Sequence, residues 1–184
     1  MVYFSRTGNT REVANLLAKE ADADIFEIIP EDMSTADDLN YNHDNCRANQ
    51  EMNDASARPA IGNDLSAVSE YDVIYLGFPI WWGTAPRIIQ IFIENYDISG
   101  ATVYAFCTSG SSGIEQSISD LQKLYPGVNI SDGKIIAKGT YTYGTYEFCR
   151  EDASHNVPSL QRKQLLRKCF CIDTDTGTSS GHNS

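Results

Sequence analysis

The sequence predicts an α/β domain built on a parallel sheet, with helices on both faces. Three observations lead there. Short apolar runs alternate with stretches of helical period along most of the chain. Val73-Ile74-Tyr75-Leu76 in particular reads as a strand buried on both faces, as in parallel sheets. The loops that follow three of the runs are rich in glycine, hydroxyl residues or tryptophan, where open α/β sheets bind ligands.

Met1-Val2-Tyr3-Phe4 reads as the end of a buried strand, shorter than a central strand should be. Thr10 to Ala21 reads as a helix, with Val13, Leu16, Leu17 and Ala21 on its apolar face. Ile25 to Ile29 is a second strand, closed by Pro30. Residues 31–69 are polar and acidic with few apolar anchors, with a loose helix around Leu39 to Met52. Tyr71 to Phe78 contains the third strand. Pro86 suits the first turn of a helix whose apolar face is Ile88, Ile89, Phe92, Ile93 and Tyr96. Thr102 to Cys107 is the fourth strand, and Ile114, Ile118, Leu121 and Leu124 mark the next helix, stopped by Pro126-Gly127. Lys134 to Lys138 is the fifth strand.

The 184 residues suit a single domain, and an apolar fraction of 41% supplies a core. A net charge of −11 repels nucleic-acid backbones and suits a basic partner face, or simple solubility. The five cysteines, Cys46, Cys107, Cys149, Cys169 and Cys171, are odd in number and form no zinc-type pair. They point to a reducing compartment, so a cytoplasmic protein is expected. The first strand looks cut short at Met1, which leaves export through a missing upstream segment open. No run is apolar enough to predict a membrane span.

The first loop, Ser5-Arg6-Thr7-Gly8-Asn9-Thr10, joins a strand to a helix N-terminus, which attracts anions. Gly8 allows positive φ or a close approach, and Ser5, Thr7, Asn9 and Thr10 add neutral donors. Arg6 is expected to point outward. A plain helix cap needs one such residue, and four around a glycine are in excess. No Walker lysine and no Gly-x-Gly-x-x-Gly occurs, which argues for the phosphate of a mononucleotide if the loop binds one. The second loop holds both tryptophans, Trp81 and Trp82, between Pro79-Ile80 and Gly83, and a flat aromatic ligand could stack there. A hydrophobic plug is the plainer alternative. The third loop, Cys107-Thr108-Ser109-Gly110-Ser111-Ser112-Gly113, lets backbone N–H groups reach a ligand edge, or is only a connector.

The stretches Val2 to Thr10, Gly77 to Gly83 and Phe106 to Gly110, in this order, resemble the flavodoxin family, in particular its bacterial branch with a paired tryptophan. The resemblance runs from Met1 to about Gly139. It implies a three-layer, doubly wound fold with a five-stranded parallel sheet in the order 2-1-3-4-5. It also implies non-covalent FMN. Ser5, Thr7, Gly8, Asn9 and Thr10, with Arg6 in the same loop, would hold the phosphate. Pro79, Ile80, Trp81, Trp82 and Gly83 would flank the ring and ribityl chain, and Cys107, Thr108, Ser109, Gly110 and Gly113 would border the ring. Cys107 is expected to be a buried packing residue rather than a redox thiol.

Three functions follow. The first is electron transfer through FMN to redox partner proteins or a small acceptor, by a monomer or homodimer. Acidic residues near the ring should lower its potential. The second is an FMN-dependent NAD(P)H:quinone-type reductase, because the third loop lacks the aromatic that familiar carriers place over the flavin. The third is a flavodoxin-fold module that has lost FMN. A phospho-receiver would need carboxylates where Ser5 and Phe78-Pro79 stand, and a cysteine phosphatase a thiolate in the first loop.

The domain is expected over residues 1–170, with 171–184 a disordered tail. Between them Thr140 to Phe148 alternates tyrosines like a strand, and Leu160 to Cys169 could form a last helix. Cys169-Phe170-Cys171 lacks the nearby histidines of a metal site, and His43, His155 and His182 read as solvated.

Overall fold

The computed structural model describes residues 1–32, 38, 43 and 45–137. The tyrosine-rich stretch 140–148, the helix expected over 160–169, the Cys169-Phe170-Cys171 pair and the 171–184 tail lie outside the described residues. Among the described residues no helix is long and apolar enough to cross a membrane.

The elements run β1 (Val2–Tyr3), α1 (Asn9–Ala21), β2 (Phe26–Glu27), α2 (Arg47–Asn53), a 3-10 turn (Ser66–Glu70), β3 (Val73–Pro79), α3 (Arg87–Asn95), β4 (Thr102–Ser109), α4 (Glu115–Leu124) and β5 (Asn129–Ala137). The five strands form one sheet in the order β2-β1-β3-β4-β5, and every pairing is parallel. The expected fold is therefore the observed one.

β1 is short as a ladder, yet its flanks extend the pairing. Phe4 N–H donates to Gly77 O at 2.9 Å, and Ile28 N–H to Tyr3 O at 2.7 Å. Met1, Val2, Tyr3 and Phe4 are all buried, as a central strand requires.

Side chains alternate across the sheet. Val2, Phe4, Ile74, Leu76, Phe78, Val103, Ala105 and Cys107 join one core with Ile88, Ile89 and Phe92 of α3 and Ile118 and Leu121 of α4. The intervening residues face α1. There the Phe106 ring occupies the space over Gly77, where a side chain would collide with it.

Four expectations need correction. In α1 the buried stripe is Val13, Ala14, Leu17 and Ala18, while Leu16 is 47% exposed. Small alanines let the helix settle closely on the sheet, and this rotates Leu16 outward. Leu124, expected in the stripe of α4, is also exposed. Pro86 is the residue just before α3, not in its first turn. β5 begins five residues earlier than Lys134, at Asn129, with a register irregularity between the Tyr104 and Phe106 pairings. The polar Ser131-Asp132-Gly133 hides this strand from a hydrophobicity reading.

The crossover from β2 to β3 departs most from its reading. The loose helix is only α2, and the segment is not short of anchors: Cys46, Ala48, Met52, Leu65 and Val68 all enter the core. It packs on α3, so that Ile88 to Ile93 are buried without interruption. Arg87 donates to Glu51 O and Met52 O, and Tyr96 OH to Asn63 O. The Asn63 side chain also covers the sheet edge: its amide donates to Glu27 O and its oxygen accepts from Ile29 N–H, each at 2.9 Å. That is how a further strand would pair, and it closes an edge open to aggregation.

Candidate functional site

A cleft of about 290 Å³ opens beyond the carboxyl ends of β1, β3 and β4. Its lining comes entirely from the three loops: Arg6, Thr7, Asn9 and Thr10 from the first, Pro79, Ile80 and Trp81 from the second, Thr108, Ser109 and Gly110 from the third. Strand order explains the meeting. β1 lies between β2 and β3, so the chain leaves β1 and β3 in opposite directions and a crevice opens between the two loops.

The first loop ends in α1 through Gly8, whose φ of 89° is a conformation that favours glycine. Gly8 supplies the backbone turn and no side-chain cap. The first-turn N–H groups therefore keep their capacity to bind an anion, with the helix dipole behind them. Ser5 is buried, and its hydroxyl has no hydrogen-bond partner among the described residues. A buried polar atom of this kind asks for a ligand or water to complete it. Asn9 Nδ2 donates to Thr7 Oγ1 at 3.3 Å, which steadies the loop. Arg6 does not point outward as expected; it is half-buried and lines the cleft.

In the second loop Trp81 and Thr84 exchange both backbone hydrogen bonds, at 2.9 and 3.0 Å. Trp82 and Gly83 between them have φ of 48° and 79°, the two positive values of a type I′ turn. Positive φ is costly for a bulky residue, so Trp82 is held under strain. Trp81 is buried edge-on against Phe4, with ring centroids 5.6 Å apart, and lines the cleft. Trp82 is 45% exposed and stands at 82° to Trp81. Two residues of α4 that the sequence reading missed, Asp120 and Gln116, fix the turn: Thr84 Oγ1 donates to Asp120 Oδ2 at 2.8 Å, and Gln116 Nε2 donates to Asp120 Oδ1. No spacing in the sequence links Thr84 to a helix so far along the chain.

The third loop leaves β4 at Ser109, whose hydroxyl accepts from the N–H groups of Ser111 and Ser112. Thr108 and Thr10 place their hydroxyl oxygens 2.8 Å apart in a buried contact. Cys107 faces the opposite side of the sheet and is fully buried. Burial, and secondarily the negative charge of Glu115, push its thiol up to about 12, so it stays protonated at neutral pH.

Ser5, Gly8, Trp82, Gly83, Cys107 and Gly113 do not line the cleft. Gly8 and Gly83 shape the loops by their positive φ, Ser5 lies buried at the start of the first loop, Trp82 stands at the rim, and Cys107 packs in the core. Gly113 lies beside Glu115 at the start of α4. The acidic residues expected at the ring are not among the lining, where Arg6 is the charged residue.

A three-layer α/β domain with a mononucleotide-sized cleft at the β1–β3 switch defines the flavodoxin-like class. The chain belongs to the flavodoxin family, whose Flavodoxin_4 model, flavodoxin, matches residues 1–146. It is similar to a candidate flavoprotein from Bacteroides uniformis ATCC 8492, with 45% identity, covering 76% of this chain and 89% of that one at a TM-score of 0.73. A second candidate flavoprotein, from Bacteroides eggerthii DSM 20697, is 41% identical, covering 73% and 85% at a TM-score of 0.72. A flavoprotein from Lactobacillus acidophilus NCFM, solved in complex with FMN, shares the fold at 21% identity, covering 73% and 89% at a TM-score of 0.56. No curated protein matches the chain.

Proposed function

We propose that this chain holds FMN non-covalently in the three-loop cleft and transfers electrons through it. The observation that carries this reading is the first loop. A glycine-capped helix N-terminus stands beside a buried, unpartnered Ser5 hydroxyl, at the place in the sheet where a mononucleotide phosphate fits. Thr7, Asn9 and Thr10 of the lining would bind the phosphate as neutral donors, the buried Ser5 hydroxyl would reach it from beneath the loop, and Arg6 would add the cationic charge of the lining. Trp81 would wall the ring from inside, Trp82 would meet it at the rim, and Ser109 and Gly110 would offer backbone donors to its polar edge. Bound FMN supplies the redox chemistry. The protein's part is to orient the flavin and set its surroundings. Among the described residues neither an acidic group nor a reactive thiol lines the cleft, which suits a carrier. Membership of the flavodoxin family, and a neighbour of the same fold solved in complex with FMN, support the reading.

One observation favours a second reading. The third loop, Ser109 to Gly113, brings no aromatic ring to the cleft. A flavin face left open on that side would admit NAD(P)H and a quinone-type acceptor in turn. Oxidation of NAD(P)H by the purified, FMN-loaded protein separates the reductase from the carrier. Redox partner proteins or a small acceptor complete either reading.

FMN titrated into purified protein should lose its fluorescence at one equivalent. Ser5→Ala should weaken binding at least about tenfold, the worth of a hydrogen bond to a charged group. The same change should leave the flavin-free protein's melting temperature unchanged or slightly raised, because it removes an unsatisfied buried hydroxyl. Folded protein that leaves FMN fully fluorescent refutes the proposal and points to a flavodoxin fold without the cofactor.

A further inference from the structure

One residue touches all three loops of the cleft. Thr108 begins the third loop at the end of β4. Its carbonyl accepts the N–H of Ile80 in the second loop at 3.1 Å. Its hydroxyl lies 2.8 Å from the hydroxyl of Thr10, in the first turn of α1, ninety-eight residues away in the chain. Thr10 is 1% exposed and Thr108 8%, and both residues line the cleft.

The chemistry of this contact is asymmetric. A threonine hydroxyl has a single proton and two lone pairs. When two hydroxyls share one hydrogen bond, the acceptor keeps its own proton for a third group. Either atom of this pair could donate. Thr10 belongs to the loop that would meet the phosphate, an acceptor without protons to give when fully ionised. Thr108 lies on the ring side.

We propose that Thr108 is a positioning residue: its hydroxyl donates to Thr10, and this turns the Thr10 proton toward the phosphate of the bound mononucleotide. The inference rests on the FMN reading above and adds to it a residue on the ring side that governs the phosphate grip. The backbone bond from Ile80 is independent of the Thr108 side chain. Removal of the hydroxyl therefore releases Thr10 while the second loop keeps its anchor. The predicted consequence is selectivity. Thr108 matters for FMN and hardly at all for riboflavin, which has the same ring and no phosphate.

The test is a double-mutant cycle on the full chain, read by quenching of flavin fluorescence. Thr108→Val should weaken FMN binding about tenfold and riboflavin binding less than about twofold. Thr10→Val should cost FMN a similar factor, and the double variant no more than the larger single loss, because the two hydroxyls act as one donor. Thr108→Ser keeps the hydroxyl and should bind like the unaltered chain, which guards against a Thr108→Val protein that merely folds poorly. Equal losses for FMN and riboflavin, or losses that add in the double variant, would overturn the inference and leave FMN binding standing. If the unaltered, folded chain binds neither flavin, the FMN reading fails and this inference fails with it.

Discussion

The cleft rim and the β2–β3 crossover treat their polar groups in opposite ways. At the rim, Ser5 has a buried hydroxyl without a partner, Gly8 leaves the start of α1 without a side-chain cap, and Trp82 sits in a strained turn. In the crossover, polar side chains are turned onto the protein itself. Asn63 pairs with Glu27 and Ile29, Arg58 with Glu94, and Arg87 with the carbonyls of Glu51 and Met52. A region that completes its own hydrogen bonds is built to stay folded. A region that leaves them incomplete is built to receive something.

The largest effect that tests this contrast belongs to the crossover. Leu65 is 2% exposed and fills the core beneath the segment. Leu65→Ala should lower stability by about 2–5 kcal/mol, the usual cost of a cavity of that size. Flavin affinity of the protein that remains folded should hardly change, because Leu65 does not line the cleft. Chemical denaturation and a titration at low temperature measure the two quantities separately. A loss of affinity as large as the loss of stability would show that the two regions are not independent.

The same contrast explains what the sequence revealed. The rim was legible because its chemistry is local: Ser5 to Thr10 are consecutive, both tryptophans are adjacent, and each loop follows an apolar strand. β3 and β4 were legible for a related reason, since a strand buried on both faces is an uninterrupted apolar run. The crossover was not, because core residues such as Cys46, Met52, Leu65 and Val68 are scattered among polar ones and obey no period. Its structure depends on pairs such as Asn63 with Glu27, thirty-six residues apart, and no local pattern announces them. The Thr10–Thr108 and Thr84–Asp120 contacts escaped the reading of the site for the same reason. In α1 two leucines, Leu16 and Leu17, both fit a helical stripe, and only packing against the sheet selects Leu17.

A smaller effect is expected at the tryptophan turn. Asparagine followed by glycine is the favoured pair for a type I′ turn, whereas Trp82 holds its φ of 48° at a cost. Trp82→Asn should relieve about 1 kcal/mol of backbone strain. It also gives up the edge contact with Trp81, worth about 0.5–1.5 kcal/mol. The two nearly cancel, so the melting temperature should move little while FMN binding weakens severalfold. A Trp82→Asn protein that is much less stable would mean that the indole is there for the fold. An unchanged affinity would remove Trp82 from the site.

The smallest effect is on the crossover side and depends on pH. Glu94 accepts from Tyr125 OH at 2.6 Å and from Arg58 Nε at 3.0 Å, joining α3 to the segment and to the end of α4. The Tyr125 hydrogen bond first, and Arg58 after it, hold the Glu94 carboxyl below its ordinary 4.5, against the opposing effect of burial. A depressed carboxyl stabilises the fold above its unfolded value, and the contribution fades as pH falls through the folded value. The stabilisation is therefore complete at neutral pH and begins to fade only below about 4.5, as pH falls toward the lower folded value. Glu94 is about a third exposed, with a side-chain accessibility of 34%, so solvent screening limits the contribution to about 0.5 kcal/mol. Glu94→Gln should lower stability by that amount at pH 7 and by less at pH 3.5, narrowing the gap between the two proteins as acid is added. Flavin affinity at pH 7 should be untouched. A gap that stays constant between the two pH values would mean that Glu94 acts through its shape and hydrogen bonds alone. The crossover would then owe its hold on α3 to geometry, with no part for charge.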